Sequence, residues 1–152
     1  MPTYICAVRT GLLNDEQKQR IASAITRLHS EATGAPTSFV QVVIDEKEQR
    51  QRYVGGQAAD HHIWVRADIR AGRTTEQRQR LMLSIMQAVS EISGVEESAV
   101  WVYLCNVAPD DMVEYGHVLP LPGQEQAWLE ALPPELQRYL TSLGVAKEKF
   151  VL

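Results

Sequence analysis

Pro2 follows the initiator methionine, and a strand-like run, Thr3-Tyr4-Ile5-Cys6-Ala7-Val8, follows Pro2 at once. Proline at this position lets the methionine be clipped readily. Clipping frees a secondary amine, and an ordinary α-amino group titrates at roughly 7.7–8.0. The ring fixes the local backbone, and the adjacent strand would hold the amine still. Such a group can serve as nucleophile, general base or general acid.

Other residues offer partners. His29 falls in the last turns of the first expected helix, flanking its apolar stripe. Arg70-Ala71-Gly72-Arg73 sits between a strand end and a helix start, where Gly72 permits a tight turn. Two arginines three residues apart can converge on one anion, helped by the N–H groups of the helix start. Tyr103 lies in the last expected strand, where the matching position of the first half holds Val43. Glu114, in the loop Met112-Val113-Glu114-Tyr115-Gly116, is the nearest spare carboxylate after it. A carboxylate beside a second titratable group suits acid–base work.

The elements that must position these groups come from an internal repeat. Shifting the chain by 60 residues aligns 14–45 with 74–105 without a gap, with eleven identities in 32 positions, from Glu16/Glu76 to Val42/Val102. The same shift sets Pro2 against His62 and Tyr4 against Trp64. Each copy reads strand, helix, strand. In the first, strand 3–8 leads to a helix capped by Asn14 with Gln17. Its apolar face carries Ile21, Ile25, Leu28 and Ala32. Gly34 and Pro36 stop it, and 39–44 is the second strand. In the second, strand 63–67 precedes a helix capped by Thr74 with Gln77. Leu81, Ile85, Ala88 and Ile92 form its stripe, Gly94 ends it, and 100–107 is a strand. Connections of this length imply parallel pairing. The fold class is therefore α/β, more strictly α+β: two fused β-α-β units forming a four-stranded sheet with two helices on one face.

This arrangement places His29, at its helix end, beside the start of the first strand. A pseudo-two-fold between the units would bring the arginine turn to the same end. Residues 1–152 read as one domain: 1–45 the first unit, 62–107 the second, and 108–152 a loop with a C-terminal extension. The strands 39–44 and 100–105 are apolar on both alternating sets, so both sheet faces need cover. Self-association supplies it. The tail from Glu125, with Trp128, Leu129, Leu132, Leu136, Tyr139 and Leu143, would either wrap a neighbouring subunit or cap its own sheet.

Composition narrows the class. A formal charge of −4, with 45% hydrophobic and 22% charged residues, describes a globular protein without the basic footprint of nucleic-acid binding. No apolar run spans a bilayer, no signal peptide is evident, and Cys6 and Cys105 read as buried thiols of a cytoplasmic protein. Adjacent His61 and His62 would point to opposite faces of a strand. No zinc-like spacing or phosphate loop occurs. No metal or cofactor is expected.

The Pro-first strand, the fused β-α-β pair, the Arg-x-Gly-Arg turn, Trp101-Val102-Tyr103, Met112-Val113-Glu114-Tyr115-Gly116 and the Trp128 tail resemble the tautomerase superfamily, in its cis-3-chloroacrylic acid dehalogenase-like branch. The resemblance covers nearly the whole chain. It implies a homotrimer with a small carboxylate substrate. It implies Pro2 as the catalytic amine, Arg70 and Arg73 as carboxylate binders, and His29 as a residue that holds or polarises the substrate. Tyr103 and Glu114 would activate water. The activity implied is hydration or dehalogenation of 3-haloacrylate or propiolate-type acids to malonate semialdehyde-type products. Enol–keto tautomerisation of 2-oxo acids, with Pro2 as base, is the alternative. A non-catalytic trimeric binding protein and an iminium-forming Pro2 are further ones. Arginines near Pro2 lower its pKa and favour the base; a nearby Glu114 raises it and favours the acid.

Overall fold

The computed structural model describes residues 2–143. In the first unit, β1 (Thr3–Arg9) leads through α1 (Asp15–Thr33) to β2 (Gln41–Lys47), and a short hairpin follows, β3 (Tyr53–Val54) with β4 (Gln57–Ala58). In the second, β5 (Ile63–Arg70), α2 (Thr75–Ser93) and β6 (Val100–Val107) are followed by the hairpin β7 (Val113–Glu114) with β8 (His117–Val118). Two short helices, α3 (Glu125–Glu130) and α4 (Pro134–Ser142), complete the described chain. The sheet order is β2-β1-β5-β6. The outer pairs are parallel, and the central pair, β1 with β5, is antiparallel. The N-terminal end of β1 therefore lies beside the C-terminal end of β5.

The repeat is visible atom by atom. Asn14 and Thr74 each form a complete capping box with the glutamine three residues on, which satisfies the first N–H groups of each helix. Each helix ends on a left-handed glycine, Gly34 or Gly94. Ser30 and Ser90 donate to the carbonyls of Ala35 and Val95, each at 2.6 Å. The capping Gln17 also donates to Ile92 O at 3.0 Å, and Gln77 to Ala32 O at 3.5 Å. Each helix start thus binds the other's end, which sets the two helices antiparallel. The hairpins match at the same 60-residue spacing, so the duplication runs on to residue 118.

The first strands depart from that spacing. Thr3 pairs with Gln41, but Ile63 pairs with Val100, one residue closer in sequence. The loop after β5 is one residue shorter than the loop after β1. Pro2 and Tyr4 therefore correspond to Ile63 and Val65, not to His62 and Trp64. The physical test is facing. Tyr4 and Val65 are buried in the core beneath the helices, whereas Trp64 packs its ring against half-exposed Tyr103. A one-residue slip puts a strand residue on the opposite face.

The main core lies between sheet and helices. Ile21, Ile25, Ile63, Val65, Leu81, Ile85 and Val89 are buried there, with Tyr4, Cys6 and Val8 from β1. His29 continues the i, i+4 line of Ile21 and Ile25 and is buried, so it lies within the apolar stripe rather than beside it. Phe39 is in a 3₁₀ turn, Thr37–Phe39, so the second strand starts at Gln41. Phe39 instead joins a second core with Leu119, Leu129, Leu132 and Leu140. The tail, as far as Leu143, thus packs on its own chain, as two helices divided by Pro133-Pro134; 144–152 lie outside the described residues. Trp101, Tyr103 and Val43 are left exposed on the sheet face away from the helices. Cys6 is buried and Cys105 half-buried, both free thiols.

Gly72 joins β5 to α2 with φ +121°, and a Cβ built there would stand 2.6 Å from Pro122 Cγ. Gly72→Ala combines a strained backbone with a clash against a rigid ring. It is expected to cost about 1–3 kcal/mol, read as a lower thermal unfolding midpoint.

Candidate active site

Four of the residues singled out from the sequence line one narrow cavity: Pro2, His29, Arg70 and Arg73, with Ala35 and Phe39 completing the wall. Its room is little more than a water molecule needs. Topology explains the meeting. Pro2 opens β1, and its carbonyl accepts from Gln41 N at 3.0 Å. The end of α1 delivers His29, and the adjoining antiparallel strand delivers Arg70 as its last residue. Arg73 follows on the turn through Gly72.

The two arginines are not equivalent. Arg70 is buried; it donates to Pro120 O at 2.6 Å and forms an ion pair with Glu125, the first residue of α3. Its Nε is buried and has no hydrogen-bond partner among the described residues. Burial pushes the Glu125 carboxyl up, but its hydrogen bond to Arg70, backbone donors and the arginine charge outweigh that and hold its pKa low. Arg73 is half-buried and forms no ion pair among the described residues. Burial and the neighbouring Arg70 charge both work against its protonated form. The Glu125 carboxylate pairs with Arg70 and acts on Arg73 in the opposite sense, favouring its protonated form.

His29 is 3% exposed, and its Nδ1 is 2.7 Å from the Tyr4 hydroxyl. Burial, then the charge of Arg73, the N-terminal charge and Arg70 lower its pKa to about 3. It is a neutral ring at neutral pH.

Glu114 does not line the cavity but lies within electrostatic reach of it. Burial raises its pKa, while the N-terminal charge and Arg70 work in the opposite sense. The loop expected around it is a hairpin, with Glu114 paired to His117. Tyr115 (φ 53°) and Gly116 (φ 80°) form its turn, both left-handed, as a tight two-residue hairpin requires. Tyrosine is strained there. It is held by its hydroxyl, which donates to Ser38 O at 3.1 Å, and by its ring against Phe39 and Tyr139.

Tyr103 is the outlier. It sits mid-strand on β6, opposite Arg66, half-exposed on the bare sheet face, and contributes nothing to the cavity of its own chain. Sequence reading missed Glu125, the Pro120 carbonyl and Tyr4. Glu125 stands 55 residues from Arg70 with no motif linking them. Tyr4 reads as an ordinary strand aromatic. His61 and His62 lie in a turn with their rings 4.6 Å apart, not on opposite faces of a strand.

The family model described as "Putative oxalocrotonate tautomerase enzyme" matches residues 1–131. A crystal structure titled N1, a member of the cis-3-chloroacrylic acid dehalogenase (cis-CaaD) family, is 34% identical. It covers 93% of this chain and 99% of its own, with a TM-score of 0.90. Pt0534 inactivated by 2-oxo-3-pentynoate is 25% identical over 77% of this chain and 94% of its own, with a TM-score of 0.72. A fused 4-OT asymmetric trimer, 20% identical, shares the fold over 76% of this chain and 94% of its own, at a TM-score of 0.72. Curated proteins gave no significant match. This chain belongs to the tautomerase superfamily, in its cis-CaaD-like branch.

Breaking the Arg70–Glu125 pair leaves a buried guanidinium uncompensated. Glu125→Ala is expected to cost about 3–5 kcal/mol, measured by thermal or denaturant unfolding. Arg70→Met/Glu125→Leu together should cost much less than the two single changes combined.

Proposed function

We propose that the methionine-clipped chain is a Pro2-dependent hydratase and dehalogenase of small unsaturated carboxylic acids of the 3-haloacrylate or propiolate type. The observation that carries this reading is the meeting of Pro2, His29, Arg70 and Arg73 on one cavity. The likeness to the cis-CaaD family member supports it.

In this reading Arg73 binds the substrate carboxylate, and Arg70 adds its unpartnered Nε–H. Charge drawn to the carboxylate polarises the C2–C3 unsaturation. Glu114 takes a proton from water as the water oxygen bonds to C3, and the Pro2 ammonium gives a proton to C2. A 3-haloacrylate becomes a C3 halohydrin, which loses halide and a proton to give malonate semialdehyde. An alkyne acid gives the enol of a 3-oxo acid. Tyr103 lies on the bare sheet face, so a neighbouring subunit's Tyr103 assists Glu114 in a homotrimer closed through those faces. The trimeric fused 4-OT neighbours accord with that assembly.

A second reading has support of its own. The two arginines share the cavity with Pro2 and favour a neutral Pro2 acting as base in enol–keto tautomerisation of 2-oxo acids, while Glu114, which interacts with the N-terminal charge, works in the opposite sense. The Pro2 pKa separates the two: a value well below 7 sinks the acid role and leaves the tautomerase.

The decisive panel is cis- and trans-3-haloacrylates, propiolate and phenylpyruvate enol. Pro2→Ala is expected to lower kcat/KM at least 10²-fold. Glu114→Gln should abolish hydration while sparing tautomerisation. No turnover of any acid by the unaltered protein, with no change in Pro2→Ala, would leave a binding protein, and retention of Met1 in the cell's own protein, seen by mass spectrometry, would overturn both catalytic readings.

The raised pKa of Glu114 fixes a sign. A base is lost as pH falls through its pKa, so the acid limb of the hydration rate should lie above the ordinary Glu value of about 4.3. A pH–rate profile of kcat/KM measures it, and Glu114→Gln should remove that limb.

A further inference from the structure

Tyr4 takes no part in the chemistry above, yet it is fully buried within the core, two residues from Pro2. A buried tyrosine hydroxyl needs a hydrogen-bond partner. The partner it has among the described residues is His29 Nδ1, at 2.7 Å, with the two rings edge to face, 5.8 Å between centroids and 76° between planes.

The repeat shows that packing alone does not call for this pair. The positions equivalent to Tyr4 and His29 are Val65 and Val89, both fully buried in the same core. Where the fold needs only volume, it uses two valines. At the Pro2 end it uses a hydrogen-bonded polar pair, which costs desolvation that valines would avoid.

Proton accounting fixes the ring. The phenolic O–H must donate, and Nδ1 is the acceptor it meets. Were the ring proton on Nδ1, the Tyr4 oxygen would accept it, and the phenolic O–H, with no other acceptor among the described residues, would be buried unmet, at about 1–3 kcal/mol. An imidazolium would stand beside Arg70 and Arg73 in a dry setting, and burial with those charges keeps His29 neutral. With Nδ1 taken, Nε2 is the nitrogen that His29 has left for the cavity it lines.

We infer that Tyr4 is a positioning residue that locks His29 as the neutral Nε2–H tautomer, so that His29 presents a hydrogen-bond donor to a carbonyl or carboxylate oxygen of an acid bound beside Pro2. A neutral imidazole held in this way polarises an oxygen without giving up its proton. Proton transfer is then left to Pro2 and Glu114. The ligand class rests on the function proposed above; the tautomer does not.

The test is heteronuclear NMR of the clipped protein labelled with ¹⁵N-histidine, with His29 assigned by loss of its signals in His29→Gln. The expected spectrum has a pyridine-like Nδ1 and a protonated Nε2 near neutral pH. A protonated Nδ1, or an imidazolium, overturns the inference. Tyr4→Phe keeps the ring and removes the hydroxyl. It should mix the two tautomers and lower kcat/KM on the best acid of the panel by about tenfold. An unchanged spectrum in a folded Tyr4→Phe also overturns the inference; if that variant does not fold, the wild-type tautomer decides. His29→Gln, which keeps a donor, should retain more activity than His29→Ala. If no acid turns over while the tautomer is as expected, the functional reading fails and the positioning role stands.

Discussion

A buried guanidinium governs the architecture of this end of the molecule. Arg70 closes β5 and is removed from water, so every donor it carries needs an acceptor that the sheet cannot supply. The chain meets that need for the two terminal nitrogens with the Pro120 carbonyl and the Glu125 carboxylate, brought to the guanidinium by residues 119–125, and leaves Nε without a partner among the described residues. That contact fastens the second core, built on Phe39 and the α3 and α4 residues, against the first. Phe39 then walls the cavity. The polar clamp and the apolar tail are thus one device, and the cavity is what they enclose.

The same clamp revises the electrostatics. Two free arginines would draw two anionic groups; an arginine already facing a carboxylate draws less. Glu125 pairs with Arg70 and also acts on Arg73, so the positive charge of the two arginines is partly offset, while Arg70 Nε stays buried without a partner among the described residues. Glu114, on its hairpin, has its pKa raised by burial while the N-terminal charge and Arg70 act on it in the opposite sense.

Much of this could be read from the chain. The capping boxes, the glycine stops and the 60-residue repeat fix two β-α-β units, because such signals are local and each satisfies backbone groups within a few residues. That Pro2 and His29 share one end follows from strand direction, and a pseudo-two-fold between the units adds Arg70 and Arg73. Other features were not legible. The one-residue difference between β1 and β5 is invisible in strands whose residues are interchangeable apolar types, so Tyr4 matched Trp64 when its counterpart is Val65. Glu125 is bound to Arg70 by the path of an irregular segment, which no periodicity encodes. Tyr103 matches the family's pattern, but no pattern within one chain says that it faces away from its own cavity.

The pseudo-symmetry has a final consequence for stoichiometry. The fold has two equivalent sheet ends, and the position equivalent to Pro2 at the other end is Ile63, buried inside the chain. A peptide-bonded nitrogen has no lone pair to offer as a base, whatever side chain it carries. Joining two units head to tail therefore silences one amine in every pair. Under the proposed function the far end is relieved of catalytic demands, and its equivalents of Tyr4 and His29 are valines. On that reading the fused chain gives up half of its reactive ends and gains two ends that can diverge independently, one for chemistry and one for stability.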